Sequence, residues 1–460
     1  MFPTALRRQV WCSMALVGLL LLGHSDVASA EAGWKAGVAR AKITPVEPIW
    51  MAGYGNRDRP SEGTEQDLWL KALALEDAAG RRLVVVTTDL LGLPRQLSGH
   101  VISRLTRRLG LPRDAVMLTS SHTHCGPVLR DALYDIYPLD DTERGKIEAY
   151  SARLEDQMVE TVVEAFARLA PASVAAGQGE AGFAVNRREN PAAEVPERRR
   201  LGTLAGPVDH SVPVLQVVGP EGKLLAVVFG YACHNTTLDN YRWCGDYAGF
   251  AQEALETAHP GAAAMFFSGC GADANPLPRR TLALCQDYGR QLADAVEKVL
   301  AGSLQPLEPR VHTAFSLVDL SLDELPTRAD LQAQADSGNG YARRWASRLL
   351  GTVDRGRSLP RSYPYPVQVW KLGGTLTWIA LGGEVVVDYS LRLKRELGES
   401  IWVTAYANDV MAYVPSLRVL KEGGYEGASS MRVYGLPTTW APEVEERVVA
   451  EVHRLARLVD

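Results

Sequence analysis

The sequence predicts a layered α/β domain with a mixed, largely parallel sheet flanked by helices, and two observations lead to this class. Short apolar strands alternate with amphipathic helices through most of the chain, and loops containing glycine separate them. The composition is that of a globular protein, because 46% of the 460 residues are hydrophobic and 22% are charged. Disorder, collagen and coiled coil are therefore excluded.

The elements follow in chain order from apolar runs and from apolar side chains at helical spacing. The predicted strands are 83–86, 115–118, 212–218, 224–231, 263–267 and 375–381. Helices are predicted after Pro94, from about Thr142, over about 282–300, from about Val385 and over about 442–459. Residues 187–208 are predicted to form a long surface loop, and about 326–361 a helical cap or insertion. We expect one catalytic domain over 31–460.

The amino terminus has the layout of a secretory signal peptide over residues 1–30. Arg7 and Arg8 precede an apolar run at 14–22, and the small residues 28–30 form a cleavage pattern. We therefore expect export to the periplasm or the extracellular space, with no transmembrane segment in the mature chain. The formal net charge is −5 and no basic stripe is present, so nucleic acid is not an expected partner.

Polar side chains follow the predicted strands at their carboxyl ends. Five strands end in, or are followed by, such residues: Asp89, His122 with His124, His234, Asp273 with Asn275, and Glu384. Ligand sites in open α/β sheets collect outside the carboxyl ends of the strands. We therefore expect these side chains to converge at one edge of the sheet.

The chemistry of these residues indicates a metal-dependent hydrolase. His122 and His124 are two residues apart, so in an extended segment both imidazoles point to the same face. Together with His234 and Glu384 they offer imidazole nitrogen and carboxylate oxygen, which suit Zn²⁺. A bound zinc ion lowers the pKa of its water to about 7. The alternative is that the histidines only cap the end of the sheet.

Six segments, in the same order along the chain, resemble motifs of the neutral (non-lysosomal) ceramidases. The sequence SHTHCGP at 121–127 resembles the family motif THTHSGP. The other five are GVARA at 37–41 with MAGY at 51–54, Asn186-Arg187, ACHNTT at 232–237, Gly383-Glu384, and YEGAS at 425–429. Each motif is modest alone, and their common order makes the resemblance specific.

The resemblance implies a zinc amidase that cleaves the N-acyl bond of its substrate. It implies zinc ligation by His122, His234 and Glu384. It also implies substrate contacts near the scissile amide from His124 and Arg187. Tyr434 is implied to stabilise the oxyanion. The carboxyl-terminal β-sandwich of full-length members is not expected within 460 residues.

Two positions depart from the family pattern. Asn275 stands where the family has a serine, and we include it in the expected catalytic set. Leu420 stands where the family has a tyrosine as fourth metal ligand, and a leucine side chain cannot bind metal. Tyr425, or water, is expected to fill that coordination position.

The resulting hypothesis is hydrolysis of an amide, with an ester as the alternative, by metal-bound hydroxide. The expected substrate is a small-molecule or lipid-like N-acyl compound, which connects the protein to lipid metabolism. His124 would assist proton transfer, because imidazole titrates near neutrality. Arg187 and Tyr434 would steady the substrate or the developing charge.

Two alternatives remain open. The first is a metal-dependent phospho- or sulfate-ester hydrolase, in which Asp89, Asp246 and Asp273 build a second metal position. The second is a non-catalytic extracytoplasmic binding protein on the same scaffold.

Overall fold

The computed structural model describes Met1, residues 33–338 and residues 340–460. The predicted signal peptide lies outside the described residues, apart from Met1. Ala32–Asp460 form one compact unit. Within the described part of the chain, no helix is both long and apolar enough to cross a bilayer.

The strands range from two to fourteen residues. They are β1 (Trp34–Lys42), β2 (Gly63–Thr64), β3 (Trp69–Glu76), β4 (Arg82–Thr88), β5 (Val116–Ser120), β6 (Ala170–Glu180), β7 (Ala184–Asn186), β8 (Ser211–Val218), β9 (Leu224–Tyr231), β10 (Arg242–Trp243), β11 (Ala263–Ser268), β12 (Ala274–Pro276), β13 (Gln305–Pro306), β14 (Glu308–Ser321), β15 (Ser362–Gly373), β16 (Leu376–Leu381), β17 (Glu384–Val385), β18 (Trp402–Thr404) and β19 (Tyr413–Val414).

The helices lie mostly between strands, as the alternating pattern predicted. They are α1 (Arg95–Leu109), α2 (Asp141–Ala167), α3 (Val195–Leu201), α4 (Asp246–Ala258), α5 (Leu282–Leu300), α6 (Arg328–Ser337), α7 (Gly340–Asp354), α8 (Val387–Leu397), α9 (Leu417–Glu422), α10 (Gly424–Gly427) and α11 (Val444–Val459). Residues 187–208, predicted as a loop, contain α3, in which Pro196 lies in the first turn and Gly202 ends the helix in the left-handed conformation.

The larger sheet has the strand order β11-β9-β8-β6-β1-β3-β4-β5, with β13 paired to β6. The pairs at its two edges, β11 with β9 and β4 with β5, are parallel. All the pairs between them are antiparallel. The mixed α/β class is confirmed, but antiparallel pairing prevails where a largely parallel sheet was expected. The reason is that β3–β4 and β8–β9 are joined by short turns, which permit only antiparallel neighbours.

A second sheet, with the order β14-β15-β16-β18, packs against the first. Its Trp370, Trp378 and Trp402 share one apolar core with Phe267 and Met117 of the larger sheet. Side chains alternate between the two faces of a strand, so other residues of the same strands face helices instead. The larger sheet packs its outer face against α1, α2, α4 and α5, and the second sheet against α8 and α11. The architecture therefore has four layers: helices, sheet, sheet and helices.

The two edge strands of the larger sheet approach each other at their carboxyl ends. The Ser268 hydroxyl at the end of β11 donates to the carbonyl of Ser121, just after β5, at 2.8 Å. Isolated bridges join Thr119 to Ala407 and Gly269 to Thr404, so the second sheet closes over the same place. The residues that follow β5, β9 and β16 consequently meet at one rim of the two sheets.

The packing between the sheets gives a stability prediction. Trp378 is 1% exposed, and its indole N–H donates to the Thr404 hydroxyl at 2.7 Å. Trp378→Ala should lower the free energy of unfolding by about 3–5 kcal/mol, because it leaves a cavity between the layers. Denaturant titration measures this. Leu317→Ala, at a position 53% exposed in the same sheet, is the control and should change it by less than about 0.5 kcal/mol. Equal losses in both variants would contradict the proposed packing role.

Candidate metal centre

Three side chains from distant parts of the chain meet at this rim. The Nε2 atoms of His122 and His234 each lie 3.1 Å from the same carboxylate oxygen, Oε2 of Glu384. All three residues are buried, with at most 3% of their surface exposed. The sequence predicted this convergence, and the structure brings the three together.

His122 reaches the centre from an unusual backbone conformation. Strand β5 ends at Ser120, and His122 has a φ of 60°, in the left-handed region. Its N–H donates to the carbonyl of Leu90 at 2.9 Å, which holds the turn. The expected extended His-x-His segment is therefore not present. The imidazoles of His122 and His124 still converge, with their Nε2 atoms 3.1 Å apart, because the chain turns between them.

Backbone carbonyls determine the protonation of two of the histidines. Nδ1 of His122 lies 2.7 Å from the carbonyl of Leu91, and Nδ1 of His234 lies 2.9 Å from the carbonyl of Gly271. A carbonyl oxygen only accepts, so each Nδ1 must carry the proton and donate it. Each Nε2 is then left with a free lone pair directed at Glu384. A hydrogen bond from the ring nitrogen opposite the metal, such as these Nδ1–H groups make, is typical of metal-binding histidines.

His124 is held differently. Its Nδ1 is buried and has no hydrogen-bond partner among the described residues. Its ring packs on Gly53, whose own φ is 101°, and on the ring of Tyr54 at a centroid distance of 4.7 Å. Burial, together with the neighbouring imidazoles of His122 and His234, lowers the pKa of His124 well below its usual value. The ring is therefore neutral at pH 7.

Glu384 is positioned by the second sheet and by a short parallel strand pair. It follows Gly383, which has a φ of 72°, and its N–H donates to the carbonyl of Ala412 at 2.8 Å. The Tyr434 hydroxyl donates to Oε1 of Glu384 at 2.6 Å. Oε1 is thus occupied by a tyrosine, and Oε2 is left to face the histidines.

Tyr413 contributes a hydroxyl that the sequence interpretation missed. Strands β17 and β19 pair in parallel, with Glu384 opposite Tyr413. The Tyr413 hydroxyl lies 3.2 Å from Nε2 of His234. Tyr425, the expected ligand, is 43% exposed and stacks edge-on behind Tyr413 at a centroid distance of 5.2 Å. Leu420 lies within α9.

Arg187 and Asn275 lie at one side of the histidines. The Arg187 guanidinium donates to the Tyr413 hydroxyl at 3.1 Å, to Glu426 at 2.7 Å and to Oδ1 of Asn275 at 3.4 Å. Antiparallel pairing of β7 with β12 sets Asn275 opposite Val185, and the N–H of Arg187, just after β7, donates to the carbonyl of Asp273 at 2.8 Å. The resemblance named Arg187 and Asn275, and no local pattern in the sequence would have connected them to Tyr413.

The three aspartates of the two-metal alternative are used within the fold. Asp89 accepts hydrogen bonds from the N–H of Trp69 and from Gln252. Asp246 accepts hydrogen bonds from three backbone N–H groups, those of Thr237, Leu238 and Tyr247. Asp273 accepts from the N–H of Val387 and from Asn186. These carboxylates fix loops and helix starts, and they do not join the histidine cluster.

The donor set fits a cation. Burial and the charge of Arg187 lower the pKa of His234 to about 4, so its imidazole is neutral at pH 7. Two imidazole lone pairs and a carboxylate oxygen within 3.1 Å repel one another unless a positive charge lies between them. His124 belongs to the same buried cluster, because the ligand nitrogens of His122, His124 and His234 all lie within 4.8 Å of one another, close enough to hold a metal ion. Imidazole and carboxylate together suit zinc.

Comparison of the sequence with known proteins identifies its relatives. A family model described as neutral/alkaline non-lysosomal ceramidase, N-terminal, matches residues 34–320. The neutral ceramidase of Pseudomonas aeruginosa is 28% identical over 239 residues, which cover 51% of this chain and 35% of that protein. The neutral ceramidase of Mycobacterium tuberculosis is 30% identical over 229 residues, covering 46% and 34%. The chain spans about a third of the length of these relatives.

Solved structures show the same fold. The crystal structure of neutral ceramidase from Pseudomonas aeruginosa superposes with a TM-score of 0.70 at 19% identity, over 92% of this chain and 75% of that one. A structure of ceramidase complexed with C2 gives a TM-score of 0.69 at 20% identity, over 92% and 76%. At these identities the likeness concerns the fold alone.

The contact between Gly53 and His124 gives a prediction about the support of the centre. A Cβ atom at position 53 would lie 2.4 Å from Nδ1 of His124, and the positive φ adds strain. Gly53→Ala should therefore lower the free energy of unfolding by about 1–3 kcal/mol, measured by denaturant titration. In Gly55→Ala the new methyl group meets nothing within 4 Å, so this control should stay within about 0.5 kcal/mol. If the two variants were equally stable, the close approach would be refuted.

Proposed function

This chain belongs to the neutral/alkaline non-lysosomal ceramidase family, and from that premise we propose that it is an exported, zinc-dependent hydrolase that cleaves an amide bond. The substrate is a small-molecule or lipid-like N-acyl compound. The observation that carries the proposal is the approach of two Nε2 lone pairs, from His122 and His234, to Oε2 of Glu384 at 3.1 Å. Export rests on the sequence pattern of residues 1–30.

In this proposal His122, His234 and Glu384 hold the ion, and Tyr413 takes the fourth protein position in place of Tyr425. The support for Tyr413 is the distance of 3.2 Å from its hydroxyl to Nε2 of His234. When bound, a zinc ion supplies Lewis acidity and makes water a nucleophile near neutral pH. Tyr434 positions the carboxylate of Glu384 through its hydrogen bond to Oε1.

His124 moves a proton at Nε2. Its neutral ring is buried beside the ligands, and no carbonyl fixes its Nδ1, unlike the other two histidines. It is therefore suited to accept a proton from water and to pass it to the leaving nitrogen. In the balanced reaction the C–N bond breaks, the acyl carbon takes the hydroxyl of water, and the amine takes the proton.

Arg187 binds the substrate close to the ligands. Its guanidinium is anchored by Glu426 at 2.7 Å and contacts Tyr413 at 3.1 Å, so its position is fixed before substrate arrives. A preorganised positive charge next to a scissile carbonyl stabilises the negative charge that develops on its oxygen. Hydrolysis of a panel of N-acyl amides, esters, phosphoesters and sulfate esters by the zinc-loaded protein tests the reaction class. Activity confined to phospho- or sulfate esters would favour that rival, and a zinc-loaded protein inert towards the whole panel would favour a binding protein.

Metal content separates ligands from the proton carrier. His122→Ala and His234→Ala should reduce bound zinc from about one ion per chain to near zero, because each removes a ligand. His124→Ala should keep its zinc and lose activity by about 10²–10⁴-fold. Mass spectrometry of metals after dialysis, with rates on the best substrate, measures both. Full zinc retention in His234→Ala would exclude the assignment, and about two ions per chain in the unaltered protein would favour the phosphoesterase rival.

The choice between two tyrosines is tested by a matched pair of substitutions. Tyr413→Phe should weaken zinc binding by at least about tenfold, since it removes the hydroxyl nearest to His234. Tyr425→Phe removes the hydroxyl of the ring that packs edge-on against Tyr413, and it should leave the zinc affinity within about twofold. Competition with a chelator measures the affinities. The reverse pattern would identify Tyr425 as the ligand.

A further inference from the structure

A cavity of about 680 Å³ opens beside the candidate metal centre. Arg187 lines it and contacts Tyr413 at 3.1 Å, and Asn275 lines it beside Arg187, so a substrate held at the centre would extend into this space. The remaining walls come from the segments 188–192 and 422–426, together with Leu277 and Arg279. The groups in this wall that lack partners indicate which part of a substrate the cavity accepts.

Two of the three arginines in the wall are paired with carboxylates. Arg187 donates to Glu426 at 2.7 Å. Arg188 donates to the other oxygen of Glu426 at 2.6 Å and to Glu422 at 2.9 Å. These ion pairs are buried or half-buried and tie the two sides of the cavity together. Neither arginine is short of a counter-ion.

Arg279 is the third arginine, and it has no counter-ion within the described residues. Its side-chain hydrogen bond goes to the carbonyl of Thr236 at 3.5 Å, and no carboxylate oxygen lies within 4.0 Å. The adjacent Arg280 differs, because it pairs with Asp239 at 3.2 Å and donates to Tyr54 at 2.8 Å. Burial lowers the pKa of Arg279, and the positive charges of Arg280 and Arg187 add to this effect. An anion in the cavity would relieve that repulsion.

Asn275 presents a second unpaired donor to the same cavity. The residue is 3% exposed, and its Oδ1 accepts from Arg187 at 3.4 Å and from Thr236 at 3.3 Å. A guanidinium only donates, so the oxygen of the amide must face Arg187 and the nitrogen must face the other way. Nδ2 has no acceptor among the described residues, and Asn275 lines the cavity. Asn275 and Arg279 therefore bring to one cavity N–H donors that are not used by acceptors among the described residues, since the guanidinium of Arg279 uses one N–H on the carbonyl of Thr236.

We propose that Asn275 and Arg279 form a carboxylate-binding subsite, and that the substrate is an N-acyl amino acid whose carboxylate occupies it. A planar carboxylate matches the fork of a guanidinium and can also accept from an amide N–H. The subsite adjoins the candidate metal centre, because Thr236 hydrogen-bonds with both Asn275 and Arg279 and follows His234 by two positions in the sequence. Because the subsite adjoins the centre, we place the substrate carboxylate on the carbon next to the scissile nitrogen. This inference rests on the proposed amide hydrolysis.

The experiment compares N-octanoylglycine, which ends in a carboxylate, with N-octanoylglycinamide, which ends in an uncharged primary amide, and follows the release of octanoate from each. The unaltered zinc-loaded protein should hydrolyse the carboxylate with a kcat/KM about 10–100-fold above that of the amide, as expected for a charge-assisted hydrogen bond. Arg279→Met should remove this preference and leave the amide within about threefold. Asn275→Ala should reduce the preference as well. Arg290→Met, which alters an exposed arginine already paired with Asp287, is the control and should keep the preference.

Binding without turnover separates this inference from the proposed function. Calorimetric titration of the two ligands should show that the carboxylate binds more tightly, and that Arg279→Met abolishes the difference. If nothing is hydrolysed and this binding difference remains, the subsite stands and the hydrolase proposal fails. If both ligands are hydrolysed at equal rates and Arg279→Met changes nothing, the subsite is refuted and the hydrolase proposal stands. Equal binding of both ligands with no hydrolysis overturns both.

Discussion

Two backbone carbonyls, those of Leu91 and Gly271, determine which nitrogen of His122 and of His234 faces Glu384 in the candidate metal centre. Each accepts the Nδ1–H of one histidine and so leaves the opposite nitrogen of that ring with a lone pair towards Glu384. The carbonyls come from the loop that follows β11, one edge strand of the larger sheet, and from the loop that follows β4, the neighbour of the other edge strand β5. The arrangement is possible because the two edges of the sheet approach each other, and the Ser268 hydroxyl donates a hydrogen bond to the carbonyl of Ser121. The chemistry of the centre therefore depends on the curvature of the sheet.

The second sheet is equally necessary, because it supplies the acidic side of the centre. The histidines follow strands of the larger sheet, whereas Glu384 follows β16 of the second. The tryptophans at 370, 378 and 402 fix the distance between the layers, because they are large, rigid side chains in a close-packed core. A ligand set divided between two layers is only as precise as the packing between them.

Sequence reasoning recovered the elements with continuous apolar runs and the residues at their ends. It predicted 282–300 as a helix, and α5 spans Leu282–Leu300. It missed β1 and β6, because lysine, arginine, glycine and proline interrupt their apolar pattern, and this is why it overestimated parallel pairing. It brought together His122, His234 and Glu384 from strand ends, but it could not find Tyr413. Tyr413 lies beside Glu384 because two strands of only two residues each, β17 and β19, pair there. Strands this short leave no alternating apolar pattern in the sequence from which to predict them.

The pairing of β17 with β19 has an evolutionary consequence. Glu384 and Tyr413 are neighbours across a parallel ladder, so the chain between them can lengthen or shorten without moving either side chain. On the proposal that Tyr413 is the fourth ligand, counting residues back from the downstream YEGAS motif to Leu420 gives a false correspondence. Relatives whose intervening segment differs in length should be aligned by strand register, and a coordinating hydroxyl judged lost from linear alignment can be present at a shifted number.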